Sequence, residues 1–253
     1  MTLTVAGAPL VAYLLASLRI VAWLALVPPF SGKAVPMMGK VVLSLGLAFA
    51  AIPGAGTIPL GTADVLLNAA TQVLIGAAMG FVTQLLLAAV AAAGSLIDVF
   101  GGFALAQGFD PLSMNNTTVF GTFHQLIATA LLFVSGGYLL VIGGLLRTFH
   151  FLPLGTTPRW GGTEDVLVTA FRMFFVTAVQ IALPMIAVLF LADLGLALLT
   201  KVAPQLNAIS VMFPAKIGLT LLLLGLSLPV LPQAVSRLAD LATQAMARLA
   251  GAT

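Results

Sequence analysis

Five charged side chains stand inside long apolar runs of this sequence: Arg19, Asp98, Arg172, Asp193 and Lys216. A charge at membrane depth is expensive and by default marks a candidate functional position. The chemistry open to these groups is ion pairing or proton transfer. Arg19 lies mid-run and needs a carboxylate or carbonyl partner, which Asp98 or Asp193 would supply. A proton relay wants several carboxylates in series, and the apolar runs hold only Asp98 and Asp193. A structural ion pair of Arg19 with Asp98 or Asp193 is the simpler reading. Arg172 lies near the start of its run and is placed to snorkel toward the interface.

His124 and His150 are the remaining candidates for metal or proton chemistry. Neither has a His, Cys or carboxylate at ligand spacing. The absence of cysteine removes disulfides, thiol catalysis and cysteine metal sites. No nucleophile–base–acid arrangement, phosphate-cradling loop or zinc motif is present. The expectation is a protein that is not an enzyme and uses no cofactor or metal.

A different kind of candidate lies between Gly101 and Thr118, where the chain turns polar without turning charged. The stretch has no Lys or Arg and a single carboxylate, Asp110, with long apolar runs on both sides. A loop meant for bulk water carries more charge, and a membrane helix does not carry Asp110-Pro111, Asn115-Asn116 and three glycines. Backbone of this kind is tolerated at membrane depth only where it is buried in protein or lines a cavity. The stretch therefore reads as part of a pore or binding site, with Asp110 as a turn residue beside Pro111.

The elements that position these residues follow from composition. Of 253 residues, 61% are hydrophobic and 7% charged, with mean hydropathy +1.18. Soluble domains carry about 25% charged residues, so the chain is read as an integral membrane protein. The net charge of +3 comes with no basic run suited to a phosphate backbone, which argues against nucleic acid. Met1 to Pro9 lack the charged start of a cleaved signal peptide.

A membrane helix takes about 20 mostly apolar residues. Apolar runs cover Leu10–Phe30, Val41–Ile52, Val65–Phe100, Val119–Leu146, Val166–Leu199 and Ile209–Leu231. The fold class is all-α, with about six long apolar helical segments, some broken or kinked. Val41–Ile52 is short for a span. Val65–Phe100 as one helix would be about 54 Å long, against about 30 Å of hydrocarbon. It either breaks in its Ala/Gly-rich second half or extends well out of the bilayer. Pro184 marks an expected kink in Val166–Leu199. The tail, 232–253, places Val235, Leu238, Leu241, Ala245 and Leu249 opposite Arg237, Asp240, Gln244 and Arg248. That pattern predicts an interfacial or partner-binding amphipathic helix.

Two helix entries match, Gly61-Thr62-Ala63-Asp64-Val65-Leu66 and Gly162-Thr163-Glu164-Asp165-Val166-Leu167. Either both use Thr as N-cap with a carboxylate at the positive helix end, or they are traces of duplication. With six simple spans, Lys33, Lys40 and Lys201 face one side and Arg147, Arg159, Arg237 and Arg248 the other. So even a balance sets no orientation, and it hints that some segments are not simple spans. Gly76 and Gly80 form a G-x-x-x-G pair, and residues 88–94 are nearly all alanine and glycine, which favours close helix packing.

The ordered motifs resemble the FliR family, a flagellar export-gate family with injectisome counterparts. They are Arg19, then Pro28-Pro29-Phe30-Ser31-Gly32, Val35-Pro36, Gly76-x3-Gly80-Phe81 and Gly94-x3-Asp98-x2-Gly101. Phe103-Ala104, Asp110-Pro111, Ala182-Leu183-Pro184 and Asp193-Leu194-Gly195 follow, then Pro204-Gln205-Leu206-Asn207 and Pro214-x-Lys216-x2-Leu219. Tyr138 departs from the pattern, standing where a histidine is expected.

The resemblance implies a non-enzymatic channel component similar in fold to a fusion of FliP and FliQ. Residues 1–160 would be the FliP-like region including 101–118, 161–231 a FliQ-like helical hairpin, and 232–253 the amphipathic tail. The implied partners are FliP-like and FliQ-like gate subunits, FlhA-like and FlhB-like export proteins, unfolded flagellar substrates and membrane lipid. The implied location is the bacterial inner membrane within the flagellar basal body. On this reading 103–116 is a central plug, and Arg19, Asp98, Asp193 and Lys216 serve structural charge pairing within a helix or between subunits. Phe103, Phe109 and Met114 supply deformable apolar closure, and Gly101, Gly102 and Gly108 let the backbone swing. The alternatives are an injectisome component of the same family and a self-contained ion-coupled transporter using Asp98 or Asp193.

Overall fold

The computed structural model describes residues 7–32, 35–51, 61–103, 118–156, 158, 161–202 and 208–252. Every regular element among them is helical. In chain order these are α1 (Gly7–Leu26), α2 (Met37–Ala51), α3 (Thr62–Gly101), α4 (Val119–Val134), α5 (Gly137–Phe151), α6 (Thr163–Val202) and α7 (Ala208–Ser227). A 3-10 turn, Leu228–Val230, then leads into α8 (Leu231–Leu249). α1, α3, α6 and the stretch Pro214–Leu249 are each long and apolar enough to cross a membrane, and α4 with α5 reaches that length only as a bent pair, which fits a broken span or a re-entrant loop. α2 is shorter, at 15 residues. In lipid a helix satisfies its own backbone groups, which is why so apolar a chain resolves into helices. The protein is an all-α integral membrane protein.

The apolar run Val119–Leu146 does not form one helix. It divides at Ser135 and Gly136, where Gly136 takes a left-handed conformation (φ 72°) that residues with a Cβ rarely adopt. The run Val65–Phe100 does the opposite. It lies within α3, which stays unbroken for 40 residues, about 60 Å at 1.5 Å per residue. α6 is equally long and keeps Pro184 in its interior. Ile181, Ala182 and Met185 around that proline are buried, so tertiary packing supports the helix where one backbone bond is missing.

In the two matching entries the threonines are not the N-caps expected of them. Gly61 and Gly162 accept the first helical bonds, from the amides of Val65 (2.9 Å) and Val166 (3.2 Å). The glycines thus hold the cap position and Thr62 and Thr163 begin the helices. Asp64, and Glu164 with Asp165, occupy the first turns, where the helix dipole favours negative charge. The tail helix is also shifted. Its buried stripe is Leu231, Val235, Leu238, Ala239, Ala242 and Met246, so Leu241, Ala245 and Leu249 only flank it. Much of the stripe expected to face lipid or a partner is buried in the protein itself.

The chain packs as two units of non-contiguous segments. The first holds residues 1–86, 136–171 and 238–253. In it Tyr13 donates a hydrogen bond to the Leu45 carbonyl (2.8 Å), joining α1 and α2. A Cβ at Gly76 would overlap the Arg19 carbonyl, and one at Gly80 would lie 3.2 Å from Trp23 Cα. The G-x-x-x-G pair therefore seats α3 directly on the α1 backbone. The second unit holds residues 87–135 and 172–237, and a second close approach organises it. A Cβ at Gly94 would overlap the Phe120 carbonyl and come within 2.7 Å of the Gly121 amide nitrogen.

Candidate functional site

The close approach at Gly94 places the end of α3 against the start of α4, the two helices that flank residues 104–117. Asp98, one turn beyond Gly94, is fully buried. Its Oδ2 accepts hydrogen bonds from the backbone amides of Phe120 (2.9 Å) and Gly121 (3.2 Å). These are first-turn amides of α4, which have no partner inside their own helix. A carboxylate at a helix N-terminus also gains from the dipole. Ser95, on the same face of α3, shares a 2.8 Å hydroxyl–hydroxyl hydrogen bond with Thr118.

Phe120 is the common point of these contacts. Its ring meets Phe103 edge to face at 4.9 Å between centroids. Its carbonyl lies 2.9 Å from His124 Nδ1, and His124 Nε2 lies 3.3 Å from Ser227 Oγ at the end of α7. Gly101 lies against Thr220 of α7, where a Cβ would come within 2.8 Å of Thr220 Oγ1. Gly102 adopts φ 84° with open space around it, so α3 ends in a conformation suited to glycine. Both stems of the polar stretch are thus anchored: Gly101 and Phe103 on one side, Thr118 and Phe120 on the other. Gly108, Phe109 and Met114 lie outside the described residues.

The other charged candidates go to different places. Arg19 is fully buried in the first unit. Its Nε donates to Gln72 Oε1 (2.7 Å) and its Nη2 to the Leu152 carbonyl (3.0 Å). Its guanidinium lies 4.2 Å from the centre of the Phe149 ring, a cation–π distance. Of the partners the sequence offered Arg19, it takes the carbonyl. Asp98 takes backbone amides of α4. Asp193 and Lys216 are brought together: Nζ lies 2.8 Å from Oδ1 and 2.9 Å from Oδ2, the hydrogen bond being directed to Oδ2. This partly buried pair links α6 to α7. Among the described residues no three His, Asp or Glu side chains are placed to hold a metal.

Phe120, Gly121, Ser95 and Gln72 were not singled out from the sequence. A faint signal existed, since Ser95 and Asp98 are three residues apart and share a helix face, as do Gln72 and Gly76.

The sequence profile of bacterial export proteins, family 1, matches residues 10–242. The chain belongs to that family. The resemblance to the FliR family is borne out by relatives as well. The chain is 34% identical over 192 residues to the flagellar biosynthetic protein FliR of Escherichia coli (strain K12), covering 75% of this chain and 74% of that protein. It is 31% identical over 239 residues to FliR of Pectobacterium carotovorum subsp. carotovorum, covering 89% and 90%. The secretion system apparatus protein SsaT of Salmonella typhimurium is 31% identical over 159 residues, covering 62% and 61%. As a FliR-family membrane protein, the chain is a component of a type III protein export apparatus.

Proposed function

We propose that the chain is a non-enzymatic channel subunit of the flagellar export gate, joining FliP-like and FliQ-like subunits to form the inner-membrane conduit for unfolded flagellar proteins. The observation that carries this is the length of the apolar surface on α6. Val168, Phe175, Leu183, Leu191, Leu198 and Val202 are all exposed. From Val168 to Val202 these exposed side chains are spread along about 51 Å of helix, against about 30 Å of hydrocarbon. Lipid covers only part of it. The remainder would leave large apolar side chains in water, and surfaces of that kind mark protein contacts.

The division into a FliP-like region (1–160), a FliQ-like hairpin (161–231) and a tail (232–253) belongs to this proposal. It rests on likeness to the partner subunits, whereas the two packing units interleave along the chain. The Asp193–Lys216 pair supports the hairpin by joining α6 and α7. FlhA-like and FlhB-like proteins complete the proposed surroundings in the basal body. The flagellar assignment is favoured over the injectisome because the FliR relatives combine 34% and 31% identity with 75% and 89% coverage of this chain, whereas SsaT reaches 31% over 62% and the Yersinia pestis Yop proteins translocation protein T 25% over 79%.

Within the gate, residues 103–116 close the conduit. The support is the anchoring of both stems, together with a polar but nearly uncharged sequence that offers no fixed binding site to passing chains. Hydrophobic constrictions gate by excluding water, which suits Phe103, Phe109 and Met114. Affinity purification from native membranes is expected to bring down FliP-like and FliQ-like proteins, and their absence would remove the assignment. In a reconstituted gate, deletion of 103–116 is expected to raise ion leakage. Ion-coupled transport by the purified chain alone, abolished by Asp98→Asn with assembly intact, would favour the transporter instead.

A further inference from the structure

Charge is distributed unevenly along α6, α7 and the start of α8. From Ile181 on α6 to Ser227 at the end of α7, the charged residues are Asp193 and Lys216, which pair with each other, and Lys201 near the end of α6. Charge resumes on the other side of Ile181, with Arg172 on α6, and beyond Ser227, with Arg237 and Asp240 on α8. Residues 181–202 extend about 32 Å and α7, at 20 residues, about 30 Å. A bilayer's hydrocarbon is about 30 Å thick, so both arms match it in length. Where the charges resume, α6 and α8 meet in a notch of about 190 Å³. It is lined by Thr177, Gln180 and Ile181 of α6 and by Gln233, Ala234 and Arg237 of α8. None of the described residues lining it is acidic. The Arg237 side chain makes no ion pair or hydrogen bond with another described residue, although Asp240 lies one turn further on. Around this polar spot the surface of α6 is apolar, with Val176, Val179 and Leu183 exposed.

We infer that this notch binds the headgroup of an anionic phospholipid and marks the level at which one face of the bilayer meets α6 and α8. Arg237 neutralises the phosphate, since a basic residue at the membrane surface attracts anionic lipid. Gln180 and Gln233 suit the hydroxyls of a glycerol headgroup, because an amide offers both donor and acceptor. The acyl chains then lie along residues 181–202, the stretch whose length the bilayer matches. The apolar side chains of α6 before the notch fall outside the hydrocarbon, and they are the part of that face left for protein contacts. The lipid site depends neither on the conduit nor on residues 103–116.

The chain has no cysteine, so single substitutions carry a fluorophore to chosen depths. Val179→Cys reports beside the notch and Leu191→Cys at the middle of the matched stretch. The full chain, purified with the subunits that accompany it, is placed in nanodiscs of phosphatidylcholine alone or with an equal part of phosphatidylglycerol. Headgroup-spin-labelled lipid is expected to quench the label at 179 more than the label at 191, and acyl-chain-labelled lipid the reverse. In the mixed discs, brominated phosphatidylglycerol is expected to quench at 179 as if enriched about fivefold over the bulk composition. Arg237→Gln should remove most of that enrichment with the depth pattern unchanged. Arg237→Lys should keep much of it, because a point charge still binds phosphate. Arg237 is exposed, so neither change disturbs the core, and an unchanged unfolding midpoint checks this. Equal enrichment in wild type and Arg237→Gln overturns the lipid site. A label at 179 that neither quencher reaches shows protein over the notch, and overturns the lipid in favour of a partner's acidic side chain. Strongest acyl-chain quenching at 179 puts the notch within the hydrocarbon and overturns the placement.

Discussion

Arg19 and Asp98 are both fully buried charges on membrane helices, and each meets the end of another helix. Arg19 donates to the carbonyl of Leu152, the C-cap of α5, where the dipole is negative. Asp98 accepts from the first turn of α4, where it is positive. The difference lies in what hangs on each partner. Arg19 is held on several sides by Gln72, Leu152 and the Phe149 ring, beside the Gly76 and Gly80 contact that locks α1 to α3. Asp98 holds one helix start whose next neighbours in sequence are residues 104–117. Burial of a charge alone does not separate a structural site from a functional one.

The strongest way to break this comparison is at Arg19. Arg19→Met leaves Gln72 Oε1 and the Leu152 carbonyl without their donor in a buried site, and each orphaned acceptor is expected to cost about 1–3 kcal/mol. Membrane accumulation and thermal unfolding in detergent would show it, and Arg19→Lys should recover only part because it lacks the planar fork. A stable Arg19→Met protein would end the structural reading of this site.

A more discriminating pair is Gly76→Ala and Gly94→Ala. Each puts a Cβ into a backbone carbonyl, of Arg19 and of Phe120 respectively, and each is expected to lose about 1–3 kcal/mol. Their consequences should part. Gly76→Ala lowers the unfolding midpoint without opening the assembled gate, whereas Gly94→Ala also raises ion leakage by displacing the start of α4. Equal leakage from both would dissolve the contrast.

The smallest effect is expected at Asp193 and Lys216. The pair is well formed but partly exposed, so a double-mutant cycle with Asp193→Asn and Lys216→Met should return about 1 kcal/mol or less. A coupling several times larger would place this pair with the buried charges.

Membrane residence and all-helical architecture were legible from residue types, because an apolar chain in lipid has to bond its backbone within helices. The stretch 101–118 stands out in the sequence because it breaks the charge pattern of its surroundings, but 104–117 lie outside the described residues. The amphipathic tail was legible in kind but off by about one position, since helical periodicity sets the width of a stripe better than its centre. The choice between breaking and extending was not legible. Val65–Phe100 stays whole because Gly76 and Gly94 let other backbones pack closely along it, while Val119–Leu146 divides where Gly136 admits a left-handed turn.

The partners of the buried charges were beyond the sequence altogether. The residues bonded to Arg19 lie 53 and 133 positions away, and those bonded to Asp98 lie 22 and 23 away. Three of these four contacts are to backbone groups, which every residue carries alike. By itself the sequence determined that five charges stand within apolar runs and that Arg19, placed mid-run, would need a partner. Only the tertiary structure decided which helix ends would meet Arg19 and Asp98, because a backbone amide or carbonyl becomes distinctive only through its place in the fold.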